Sequence, residues 1–224
     1  ETVITGSILA TGSTHAVTKS GTGTFTWGGT TNASNYTGAT TISQGTLSFS
    51  DVGAFSGTSG ILIGNATTTA GTLTYTGAAA TLSKAITLNT TTANVYLNAS
   101  GSGALTISGT MTGVAGAKTF VLGGTSVADN TITSVIPANA TNIQKIGDGT
   151  WVLAPATSNL YAGTTTVSGG TLKVTDAAAI NVLSTAGAVI FNTDAFTQAA
   201  GGTLQYTGGA NSESVGALTA TAGH

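Results

Sequence analysis

Lys19 to Phe49 reads KSGTGTFTWGGTTNASNYTGATTISQGTLSF, and most of it returns at Lys145 to Val174 as KIGDGTWVLAPATSNLYAGTTTVSGGTLKV. Lys19, Gly21, Gly23 and Thr24 recur as Lys145, Gly147, Gly149 and Thr150, a displacement of 126 (145 − 19). After a one-residue deletion, Gly38, Thr40, Thr41, Ser43, Gly45, Thr46 and Leu47 recur as Gly163, Thr165, Thr166, Ser168, Gly170, Thr171 and Leu172, displaced by 125 (163 − 38). Self-similarity at a fixed period points to repeated architecture before it points to repeated chemistry. The chain divides accordingly into a partial repeat at 1–18 and two long ones at about 19–144 and 145–224.

Outward from this pair, the sequence is a succession of short apolar-small runs. Ser20 to Trp27 alternates small residues with Phe25 and Trp27, the period of two of a half-buried strand. GILIG (60–64), GTLTYTG (71–77) and AITL (85–88) follow, then VYL (95–97), LTI (105–107) and FVL (120–122), each bounded by Gly, Asn or Ser. GTLTYTG is echoed by GTLQYTG at 202–208. Thr131 to Asn142, which contains Pro137, reads as a wider loop. No long segment carries a 3.6-residue apolar stripe, and only Ala177 to Leu183 could form a helical turn.

Strands this short cannot fold singly, and stacking them would bury one continuous core. The reading is therefore all-β: a single elongated β-solenoid with coils of roughly 20 residues, a common repeat length. Its threonines and asparagines are expected to hydrogen-bond to the same residue type one rung away.

Composition narrows function. Charged residues make up only 5% of the 224, and all five basic residues are lysine. Such a surface cannot neutralise a phosphate backbone, which excludes nucleic acid, and it is a poor match for anionic membranes. Mean hydropathy is +0.31, yet no apolar run approaches the ~18 residues of a spanning helix, so no membrane insertion is expected. There is no cysteine, hence no disulfide framework and no thiolate metal site. The chain opens at Glu1 without a methionine or an apolar targeting run, so any signal peptide is expected to have been removed.

The pattern K-x-G-x-G-T-φ-x-φ … Y-x-G-x-T-x-φ-x-x-G-x-L-x-φ resembles the autotransporter-associated β-strand repeat of bacterial surface proteins. It is carried by Lys19, Gly21, Gly23, Thr24, Phe25, Trp27, Tyr36, Gly38, Thr40, Ile42, Gly45, Leu47 and Phe49. The second copy is Lys145, Gly147, Gly149, Thr150, Trp151, Leu153, Tyr161, Gly163, Thr165, Val167, Gly170, Leu172 and Val174. The resemblance implies a right-handed parallel β-helix, secreted and displayed at the cell surface as a structural or adhesive passenger. The family's C-terminal translocator barrel has no counterpart here.

The carboxylates and histidines have plainer roles than catalysis or metal binding. Asp51 and Asp176 follow equivalent strands, 125 apart (176 − 51). Recurrence at one structural phase favours a turn role over catalysis, which needs only one copy. Asp148 lies in a Gly-Asp-Gly turn, and Asp129, Asp194, Glu1 and Glu213 have no carboxylate partner in a plausible motif. With no arginine to serve as base or to hold a uronate, a polysaccharide lyase or hydrolase is the weakest reading. His15 and His224 form no metal set, and no calcium loop, dinucleotide loop or G-x-S-x-G elbow occurs. No catalytic residue, metal or cofactor is expected, and the protein reads as a non-enzyme.

Trp27 and Trp151 alternate with their neighbours as core residues do. Tyr36 and Tyr161, beside Asn-rich loops, are the candidates for exposure and for glycan contact. Asn-x-Ser/Thr triplets such as Asn32, Asn35 and Asn65 are expected by chance in this composition. The ends keep the apolar-small pattern, so Thr2, Val3, Ile4, Ile8 and Leu9 at one end, and Val215 and Leu218 at the other, form a candidate head-to-tail interface. Solenoid ends expose unpaired edges, and an extracellular filament of this protein alone, or an adhesive passenger binding surface glycans, are the functions the sequence suggests.

Overall fold

The computed structural model describes residues 2–4, 15–28, 34–176, 180–192, 201–208 and 211–220. It is a parallel β-solenoid: every strand pairing among the described residues is parallel. One 3-10 turn, Val52–Phe55, is the only described helical element. Strands fall into a ten-stranded, a six-stranded and a five-stranded sheet. One full coil visits them in order: Val95–Ala99 in the ten-stranded sheet, Leu105–Ile107 in the six-stranded, Met111–Gly113 in the five-stranded, and Lys118–Gly123 back in the first. Coils are longer than the roughly 20 residues expected. The register steps by 21 from Thr40 to Ile61, by 25 from Val95 to Phe120 and by 32 from Thr171 to Thr203. Corners and loops supply the difference.

Alternation places one side of each strand inside. On the ten-stranded sheet Leu47, Leu73, Leu97 and Leu122 stack in one inward column, and Trp27, Phe49 and Tyr75 in another. On the six-stranded sheet the column is Leu82, Ile107, Ile132, Leu153 and Val174. All of these are buried, and each rung covers the one below, so no coil has to close its own core. At the N-terminal half the rings thicken into an aromatic cluster: Trp27 stacks on Tyr36 at 6.0 Å, and Phe49 meets Phe55 at 4.9 Å and Tyr75 at 5.0 Å. Trp151 is fully buried and donates Nε1–H to the Gly123 carbonyl at 2.8 Å. Both tryptophans are core, as their spacing suggests.

Thr87 and Thr112 do bond hydroxyl to hydroxyl across one rung, at 3.0 Å. More often the polar side chain reaches the main chain of a neighbouring coil. Asn89 donates to the Gly64 carbonyl at 3.0 Å, and Thr133 to that of Ile107 at 3.2 Å. Asn130, fully buried, accepts from the Leu105 amide and donates to the Thr150 and Ala128 carbonyls. Among the described residues no buried side-chain nitrogen or oxygen lacks a partner.

The strand composition of a coil changes along the rod. From Thr24 to Ile63 the strands lie on the ten- and five-stranded sheets, and the described residues of the third side form no strand. From Gly71 to Met111 all three sides carry strands. Beyond Gly113 no described residue adds a strand to the five-stranded sheet, and the described segments on that side are irregular. Pro137 falls in the first such segment, where it has no N–H to give to a further ladder.

Candidate functional site: a lysine corner and a tyrosine-anchored loop

Lys145 occupies a column in which its neighbours are Leu122 below and Val167 above, and it is fully buried. Lys19 stands likewise beneath Ile42. The aliphatic stem packs as a leucine would, and the ammonium reaches the sheet corner. There Lys145 Nζ donates to the carbonyls of Ile146 at 2.8 Å, Gly147 at 2.7 Å and Gly169 at 3.0 Å. Lys19 Nζ makes the same set with Ser20 at 2.9 Å, Gly21 at 2.7 Å and Gln44 at 3.1 Å. Three N–H groups meet three carbonyls, two from the lysine's own turn and one from the turn of the next coil.

These carbonyls converge because the corner glycines are left-handed: φ is 73° at Gly21, 65° at Gly147, 70° at Gly45 and 59° at Gly170. That conformation turns successive C=O groups to one point, and it costs glycine nothing. A Cβ on Gly170 would lie 2.4 Å from the Gly149 oxygen, so the stacked turns touch main chain to main chain. Lys118, also buried, caps another corner through the carbonyls of Val114, Gly116 and Asn139, and Lys84 binds those of Ser56 and Thr58. Burial lowers the Lys145 pKa to about 8, against which Asp148 acts as a nearby negative charge; Lys19 and Lys118 are lowered by burial too.

The second shared feature is the loop. Tyr36 bonds its hydroxyl to Thr40 Oγ1 at 2.5 Å, and Tyr161 bonds to Thr165 Oγ1 at 2.7 Å. Both rings are buried, at 1% and 2% exposure. The expectation that these tyrosines are exposed for glycan contact is therefore corrected: each ring fills the core beneath its loop, and its hydroxyl is spent on the threonine four residues on. Burial raises the pKa of Tyr36, and that of Tyr161 to about 12. What reaches solvent is the loop itself, through Asn35, Thr37 and Ser158, with Leu160 at 60% exposure.

The carboxylates shape turns. Asp51 accepts from the Gly53 amide at 2.8 Å and starts the 3-10 turn; Asp176 accepts from the Ile180 amide at 2.9 Å and from the Tyr206 hydroxyl at 3.3 Å. Glu213 accepts from the amides of Val182 and Leu183, and burial raises its pKa against those bonds. Asp129 pairs with Lys173 at 2.6 Å on the surface. No group of three His, Asp or Glu able to hold a metal occurs among the described residues. His15 is exposed; Glu1, Asp194 and His224 lie outside the described residues.

Of the candidate interface residues, Thr2 is exposed on the strand that ends the ten-stranded sheet, the strand that also holds Val3 and Ile4. Leu218, 71% exposed, lies on the strand at its other end, and Val215 packs partly against the core. Ile8 and Leu9 lie outside the described residues. An apolar-lined cavity opens at each end: about 370 Å³ among Val17, Phe25 and Leu47, and about 250 Å³ among Val174, Leu183, Val189, Leu204 and Leu218.

The fold and its corners define a class, the parallel β-solenoid whose turns are clamped by lysine. Within it, residues 17–49 and 143–174 match the passenger-associated-transport-repeat family, and the chain carries two copies of this autotransporter passenger repeat. It is also similar to the Adhesin BmaC autotransporter of Brucella suis biovar 1 (strain 1330), 33% identical over 163 residues. That match covers 67% of this chain and 4% of the relative's own length. No solved structure matches the chain. No helix among the described residues is long and apolar enough to cross a membrane.

Proposed function

We propose that this chain is a rigid, non-enzymatic segment of a surface-displayed or secreted adhesin-like passenger, which holds its loops away from the cell and makes contact through them. The observation that carries the reading is the pair of passenger repeats, each setting a lysine-capped corner beside a loop pinned by a buried tyrosine. Supporting it, the polar side chains are spent on holding turns, and the exposed loop residues Asn35, Thr37, Ser158 and Leu160 are uncharged. Partners fitting such loops are neutral, surface glycans among them. The test is adhesion of beads coated with the purified chain to glycan arrays and host-cell surfaces. Saturable binding that falls at least tenfold for Leu160→Ser or Thr37→Ala, with thermal unfolding unchanged, supports the reading. Binding indifferent to every loop change, or turnover of a glycan abolished by an Asp substitution, contradicts it.

A second proposed property is end-to-end self-association into a fibre. What favours it is the apolar cavity at each end, flanked by the outer strands Thr2–Ile4 and Ala217–Ala220 of the same sheet. Electron microscopy over a concentration series tests it: lengthening rods support association, and short rods of one length at high concentration refute it.

A further inference from the structure

The two copies of the repeat have the same local structure and do not sit at the same corner of the solenoid. Lys19 belongs to the five-stranded sheet, where Ile42, Ile63, Leu88 and Gly113 stack above it. Lys145 belongs to the ten-stranded sheet, above Leu97 and Leu122. The strand after the first corner, Thr24–Trp27, is in the ten-stranded sheet; its counterpart, Thr150–Leu153, is in the six-stranded. The loop anchored by Tyr36 accordingly lies on the six-stranded side, and the loop anchored by Tyr161 on the five-stranded side.

The cause is arithmetic. Rungs above Lys19 step by 23 (42 − 19), 21 (63 − 42), 25 (88 − 63) and 25 (113 − 88), whereas the repeat is displaced by 126 (145 − 19). A fifth step of similar length falls short of Lys145 by about one strand and corner. Coil length and repeat length are incommensurate, as 3.6 and 7 are in a coiled coil, and the mismatch becomes rotation. The strands on all three sides between Gly71 and Met111 carry out the handover.

We infer that the passenger repeat is a screw unit: each copy carries its tyrosine-anchored loop one side further around the rod, so this chain offers contact loops in two directions. If the loops are the contact surface, as proposed above, the chain engages two partner molecules, one on each side. A single flat surface reaches only one of the two loop ridges. In a passenger with more copies at this spacing, the ridge winds around the rod.

The chain has no cysteine, so labels can be placed at will. Thr37→Cys with Ser59→Cys marks one ridge, since the Ser59 amide bonds to the Gly38 carbonyl on the coil below. Thr37→Cys with Leu160→Cys marks both ridges. After biotinylation, streptavidin is imaged on single rods by negative stain. The expected result is labels on one side for the first pair and on different sides for the second. Labels of the second pair in line on one side overturn the screw. Loss of adhesion on loop substitution is scored separately, so the screw can hold where the adhesive reading fails, and the reverse. All three positions are exposed, and circular dichroism confirms that each variant folds before imaging.

Discussion

A lysine buried without a carboxylate is normally a liability, and Lys145 shows how carbonyls can take the carboxylate's place. Its ammonium pairs three turn carbonyls, that of Gly169 in a buried bond and those of Ile146 and Gly147 in part-buried ones. Substituting Lys145→Met keeps the stem, removes the desolvated charge, and leaves those oxygens bare. Because each orphaned group costs about 1–3 kcal/mol, and lifting the charge returns part of that, a net loss on the order of 2 kcal/mol is expected in urea unfolding. Lys145→Arg should not rescue it, because a planar guanidinium fork cannot point three donors at one converging set.

The same groups set the pH profile. Lys145 titrates at about 8 when folded, against 10.5 ordinarily, so in that window the unfolded chain binds more protons and stability rises with pH. Tyr161 titrates at about 12 against 10.0, so above pH 10 the folded chain holds the extra proton and stability falls. Tm is therefore expected to climb from pH 8 towards 10 and decline beyond. Lys145→Met should lose most of the climb, and Tyr161→Phe should soften the decline. The role of these lysines was only half legible in the sequence. Their place before glycine-rich turns could be seen, but a lysine reads as a surface residue until its rung is known.

At the scale of the element, the unit of construction is the corner and not the strand. Strands of three residues carry little specificity, and what fixes register is the left-handed glycine turn stacked on the one below. Gly170→Ala combines a φ of 59° with a Cβ 2.4 Å from a main-chain oxygen. It is expected to cost more than the ~1–2 kcal/mol of the backbone conformation alone. Gly23→Ala meets nothing within 4 Å and should be nearly silent; paired urea melts compare the two. The sequence displayed these elements well. Alternation marked Phe25 and Trp27, Gly-bounded triplets marked the strands, and Asp51 and Asp176 were recognisable as turn residues by their recurrence. The burial of the tyrosines is hidden for a physical reason: neighbouring Asn and Ser suggest solvent, while each ring fills the core beneath its loop.

For the whole molecule, the solenoid was legible in the short strands and the long internal repeat, and the parallel direction in the family resemblance of the two copies. The rotation between copies was not, since it depends on the exact lengths of intervening coils, and those became visible only as register. The most direct measurement is disulfide formation between rungs under mild oxidation, because directly paired parallel residues lie within bonding reach. Thr131 and Val152 are paired on the six-stranded sheet. Thr131→Cys with Val152→Cys should cross-link, and Thr112→Cys with Gln144→Cys should not. The reverse outcome would put the second copy at the same corner as the first and contradict the account.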